Sequence, residues 1–190
     1  MNADQKLVIQ EGVRLMDACE KDYTVHINSC NSKTTPLGIY FSRLFALNFV
    51  VSAMTLAWGA DRHKESEKAY LSLLDHARRK NRISSQEALK EASEFLKTAN
   101  EALYAEKNNV GSGQYALASL YEKALSASLG TGFQPPPNSD FNLSSVLGYR
   151  IGTLLAEWSS LYTRLSGRPM QEYHEGFQPS DRDVRPLQGD

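Results

Sequence analysis

The sequence predicts an all-α fold: a single-domain bundle of about six helices around one central apolar helix, followed by a Pro-containing C-terminal tail. Three observations lead there. Apolar residues recur at steps of three and four through most of the 190 residues, and no stretch alternates with β-branched residues as a strand would. Residues 37–60 hold a single charge, Arg43. The whole chain carries 21 basic and 22 acidic residues and is 41% hydrophobic, which fits one domain long enough to bury a core without disulfide or metal.

The first helix is expected from about Asp4 to Cys30, with an inward stripe of Ile9, Gly12, Met16, Cys19, Tyr23, His26 and Cys30. Eleven residues on one helix separate Cys19 from Cys30 by roughly 16 Å, so both are expected as free thiols facing the core. Pro36 suits a first helical turn and opens the second helix, which runs to about Ala60. Asp61 is placed to cap a third, Arg62 to about Lys80, with Glu67, Tyr70, Leu74 and Ala77 inward.

Ser84 and Glu87 form a capping box, and Ile83 with Ala88 stands where a hydrophobic staple would. The fourth helix then runs to about Lys107 on a stripe of Leu89, Ala92, Leu96, Ala99 and Leu103. A fifth helix, Gly113 to Leu129, is ended by Gly130 or Gly132, and the prolines of residues 133–138 make a stiff connector. The sixth, Asp140 to about Ser166, has Leu147, Ile151, Leu154, Trp158, Leu161 and Leu165 in four-three spacing. Residues 1–166 thus form the helical domain, and 167–190, with three prolines and little aliphatic content, a mobile or surface-draped tail.

Charge is unevenly spread. Residues 61–110 hold 19 of the 43 charged residues and residues 111–166 only six, so the third and fourth helices are the wet pair. The fifth and sixth are too poor in charge to be exposed all round; they are central or covered by another chain. Gly148, Gly152 and Ala156 form an i+4 ridge on the sixth helix, as Gly38, Ser42 and Ala46 do on the second, and such ridges admit close helix approach. The sequence therefore places the second and sixth helices across each other, or one ridge against its own copy.

Catalytic signatures are absent: no GxSxG, HExxH, CxxC or ExxH occurs. Asp22, His26 and Cys30 share a helix face but lack further ligands, so no metal and no cofactor are expected. Gly111-Ser112-Gly113 matches a phosphate-loop pattern without the preceding strand that motif needs, and reads as a turn. The basic run at residues 78–82 complements a helix C-terminus, and a net charge of −1 argues against nucleic acid. Residues 37–60 could span a bilayer by length, yet a buried central helix explains the same composition. With no apolar run in residues 1–10 a secretory signal is not expected, and the location is read as cytoplasmic.

Arg150, Glu157 and Arg164 stand seven residues apart on one flank of the sixth-helix stripe, where helical partners set register by ion pairs. The functional expectation is a non-enzymatic protein of the adaptor, regulator or inhibitor type. It would act through a protein partner, itself included as a homodimer, by the fifth and sixth helices, with Gly148, Gly152 and those three charges at the interface. The alternative is a small-molecule binder or enzyme with a pocket inside the bundle near His26, Arg43, Tyr149, Arg150, Glu157 and Trp158.

Overall fold

The computed structural model describes residues 2–106, 112–130 and 143–168. Its helices are α1 (Ala3–Ser29), α2 (Pro36–Trp58), α3 (His63–Lys80), α4 (Ser85–Glu106), α5 (Ser112–Leu129) and α6 (Leu143–Ser166), with one short 3-10 turn, Ala60–Arg62, before α3. No strand occurs among the described residues, and the fold is an all-α bundle with one apolar helix. The tail expected beyond residue 167 lies almost wholly outside them.

Helix ends follow local chemistry. Asn2 and Gln5 cap α1 reciprocally, each side chain accepting the other's backbone N–H. Thr35 caps α2 by accepting the Gly38 N–H at 3.1 Å, with Pro36 in the first turn. Gly59, at φ 62°, ends α2 in a left-handed conformation that glycine adopts without strain. The Glu87 N–H reaches Ser84 Oγ at 3.2 Å, and Ile83 and Ala88 are both buried, so the start of α4 is as the sequence predicts. Asp61 caps nothing. It falls inside the 3-10 turn, and α3 begins without a side-chain cap.

The core is organised on α2, which packs against all five other helices. Every residue from Tyr40 to Val50 is buried, because a helix apolar on all sides has no face for water and needs neighbours around its whole circumference. α2 is also the described helix long and apolar enough to cross a membrane. α1, α5 and α6 each lie along it, α4 packs mainly on α5, and α3 bridges α2 and α1.

Three expected stripes are corrected. On α1 the buried set is Gln5, Val8, Gly12, Leu15, Met16, Cys19, Tyr23 and Ile27; Ile9, His26 and Cys30 are only half-buried. On α3, Ala69, Leu73, Leu74 and Ala77 face the core, Glu67 is exposed and Tyr70 half-buried. On α4, Ala92 is inward as expected and Ala88 and Phe95 are buried with it, whereas Leu89 is 51% exposed, because Phe95 stacks on Phe41 and the Tyr40 hydroxyl donates to the Ala88 carbonyl at 2.7 Å; the side chains of Leu96, Ala99 and Leu103 lie outside the described residues. The described part of the α6 stripe stands: Leu154 and Leu161 are buried, Ile151, Trp158 and Leu165 pack against the core, and the side chain of Leu147 lies outside the described residues.

Candidate functional site

Arg43, the one charge of α2, is fully buried at the α1–α2–α3 junction. Its Nε donates to Glu20 at 2.8 Å, and Nη2 donates to Asp17 at 2.7 Å and again to Glu20. Lys80, from the last turn of α3, approaches Glu20 at 3.2 Å and Asp17 at 3.4 Å. A guanidinium without water requires such partners, and its Nη1, buried and unpartnered among the described residues, shows that desolvation is not fully offset. The carboxylates keep one side toward solvent, beside a shallow cleft of about 320 Å³. This is a clip joining three helices.

The charges of α6 also meet α1. Arg150 pairs with Asp22, Glu157 accepts Arg14 Nη2 at 2.6 Å, and Arg164 donates to Glu11 at 2.8 Å, in antiparallel order along the two helices. Glu11 also accepts Arg14 Nε at 2.7 Å, so Arg164, Glu11, Arg14 and Glu157 form one alternating network. Hydrogen bonds from Arg164 and then Arg14 hold the Glu11 carboxyl below the usual glutamate range, and Arg14 is raised by Glu157 first and Glu11 second. The three residues singled out in the sequence for a partner are therefore engaged within the chain. Gly148 and Tyr149 belong to α6, but their side chains lie outside the described residues.

The face of α6 opposite its core stripe carries no charge among the described residues. Gly152, Leu155, Ala156 and Ser160 are exposed, Leu155 at 47%, and a Cβ built on Gly152 would meet nothing within 4 Å. Gly152 and Ala156, the two described residues of the ridge that could have crossed α2, point away from it. Its counterpart on α2 points inward: Gly38, Ser42 and Ala46 are buried, with Gly38 against Tyr23 and α5. The Tyr23 hydroxyl donates to the Ala124 carbonyl at 2.6 Å and shares a 2.7 Å hydrogen bond with Ser128 Oγ, which accepts the Thr35 N–H at 2.9 Å. Burial pushes the Tyr23 phenol up to about 12.

Of the six residues expected to line an internal pocket, Tyr149 lies outside the described side chains, Arg150 and Glu157 pair with α1, and His26, Arg43 and Trp158 have separate surroundings. His26 Nδ1 lies 3.2 Å from the Tyr121 hydroxyl, and burial lowers its pKa. Arg43 is held by Asp17 and Glu20, and the Trp158 ring stacks on Tyr162 at 6.1 Å. Cys19 is buried beside Arg150, with its thiol raised to about 11 by desolvation, while Cys30 is half-buried; neither is in a disulfide. Asp22 is taken by Arg150, and no group of three or more His, Cys, Asp or Glu is placed to hold a metal among the described residues. The basic run is likewise occupied in part, since Arg78 and Arg79 pair with Asp75 and Lys80 joins the Arg43 clip.

A feature that periodicity could not reveal is a groove of about 510 Å³ between the end of α2 and the start of α3, floored by Val51 and Met54 and walled by His63, Ser66, Glu67 and Tyr70. The signal was available only as residues 63, 66, 67 and 70 sharing one helix face, which reads equally well as core. No protein-family model matches the chain, and no curated protein or solved structure is significantly similar to it.

Proposed function

We propose that this chain is a non-enzymatic protein of the cytoplasm that acts by protein–protein association, with a second copy of itself as the first partner, through the outward face of α6. One observation carries the reading. The outward face of α6 presents Gly152, Leu155, Ala156 and Ser160 and no charge at its centre, although the same helix carries Arg150, Glu157 and Arg164 on the flank it turns to α1. A face meant only for water would be expected to hold charged side chains. Small residues admit close backbone approach, and an identical face related by a two-fold axis gives the simplest closed assembly.

Because Glu157 already pairs with Arg14, reversing its charge would disturb the bundle as well as any interface. Leu155→Glu is the cleaner variant, since the side chain is exposed. Sedimentation velocity at micromolar concentration should give a dimer for the native chain, a monomer for Leu155→Glu with unchanged helicity, and a dimer for the control Lys90→Glu. A native monomer that copurifies with no partner would defeat this reading.

A further inference from the structure

The groove between α2 and α3 is lined by no residue of α6, so it stands apart from the association surface. Its walls come from the α2–α3 hairpin. Val51 and Met54 are one helical turn apart on α2, and His63, Ser66, Glu67 and Tyr70, at i, i+3, i+4 and i+7, form one face of α3. The volume falls in the range of small-molecule sites, roughly 300–1,000 Å³. Met54 is buried and Val51 half-buried, so the floor offers an apolar body a dry seat.

The polar groups define what sits at the end of that body. Glu67 is exposed and has no ion-pair partner among the described residues, and no Lys or Arg lines the groove. Ser66 Oγ is buried without a hydrogen-bond partner among the described residues, a demand that a bound donor would satisfy. The Tyr70 ring supplies a π surface of the kind that attracts cations. His63 stands at the exposed edge.

We infer that this groove binds a small apolar ammonium compound: the alkyl or aryl body lies on Val51 and Met54, and the protonated amine donates to Glu67 and Ser66 Oγ. A carboxylate of the same shape meets Glu67 with like charge and is rejected. A neutral alcohol keeps the apolar contact and loses the charge-assisted bond.

The test is a titration of the full chain with octylammonium, octanol and octanoate, followed by backbone amide NMR shifts. Octylammonium should saturate with shifts gathered around residues 51–70, and should bind roughly tenfold or more tighter than octanol, with octanoate weakest. Glu67→Gln, at an exposed position that leaves the core intact, should bring octylammonium to the level of octanol. Glu67→Lys should invert the order and favour octanoate. Equal binding of alcohol and ammonium, shifts centred elsewhere, no saturable binding, or an affinity indifferent to Glu67→Gln would each overturn the assignment.

Discussion

Gly38→Ala adds one methyl group to the first turn of α2, and on helix propensity alone it should stabilise the chain by up to about 1 kcal/mol. The structure reverses the sign. A Cβ at this position would stand 2.2 Å from the Tyr23 hydroxyl, 2.7 Å from Ser128 Oγ and 3.1 Å from the Ala124 carbonyl oxygen. Ser128 can rotate, but the Tyr23 hydroxyl is tied to Ala124 and Ser128 and the ring is fully buried, so relief requires moving α1 or α5, or breaking the hydrogen bonds. Overpacking of this kind costs about 1–3 kcal/mol, and each lost buried hydrogen bond about 1 kcal/mol more. The net expectation is a loss of about 2 kcal/mol, which for a domain of this size lowers the thermal midpoint by roughly 4–8 °C. Urea unfolding of Gly38→Ala, Tyr23→Phe and the double variant isolates the cause. Tyr23→Phe alone should cost about 1 kcal/mol, and because it removes the clashing oxygen it should absorb at least about 1 kcal/mol of the Gly38→Ala penalty. Additivity within about 0.5 kcal/mol, or a stabilised Gly38→Ala, would refute the steric account.

Removing both carboxylates of the Arg43 clip with Asp17→Asn and Glu20→Gln should destabilise the chain by about 3 kcal/mol or more, since it strands a fully buried cation; Arg43→Met, which leaves two carboxylates with access to water, should cost less by chemical denaturation. Cys30, half-buried, should react with a thiol reagent in the native state well before Cys19, whose buried thiol is raised to about 11; equal native rates would contradict the packing of α1. The Glu11 carboxyl is lowered in the folded chain, so its contribution is present above the ordinary glutamate pKa of about 4.3 and is lost as pH falls through the lower folded value; Glu11→Gln should flatten that acid limb of a stability–pH curve. His26 is also lowered, by burial, so the unfolded chain takes up its proton first and stability should decline below about pH 6.5, a slope that His26→Gln should remove.

Where composition alone decides, the sequence was legible. A helix with one charge in residues 37–60 has no face for water, and from Tyr40 to Val50 α2 is buried on all sides. The α6 stripe was legible because its knobs are large. The α1 stripe drifted for a geometric reason. Steps from residue 9 to 30 taken as strict three-four repeats average 3.5 residues, whereas a straight helix turns every 3.6 and slips by about 20° each heptad. By the end of α1 the inward position belongs to Ile27 rather than to His26 or Cys30. On α3 and α4 the buried faces are led by Ala69, Ala88 and Ala92, whose weak apolar signal is outvoted by larger neighbours such as Leu89 until an aromatic partner fixes the rotation. The outer groove was illegible because it exists only once the α2–α3 turn has set two helix faces side by side.

The ion pairs show why seven-residue charge spacing is ambiguous between a partner chain and a neighbouring helix. Arg150, Glu157 and Arg164 ask for an antiparallel partner bearing acid, base, acid, and α1 supplies that order in Asp22, Arg14 and Glu11. Asp17 and Glu20, between Arg14 and Asp22 in sequence, serve Arg43 on α2. One helix therefore neutralises the charges of two others. α6 reaches α1 largely through these side chains while its apolar stripe rests on α2, so the charged flank sets rotation and register rather than supplying the bulk of the packing. With that rotation fixed, the uncharged ridge at Gly152 and Ala156 is held toward solvent. The exposure of that ridge, on which the association reading rests, is thus a consequence of the α1 pairs. A Glu11→Gln, Asp22→Asn variant, which loosens the register without touching the ridge, should weaken self-association and the stability of the isolated protomer together, while Leu155→Glu should abolish association and, at concentrations low enough that the native chain is monomeric, leave stability unchanged.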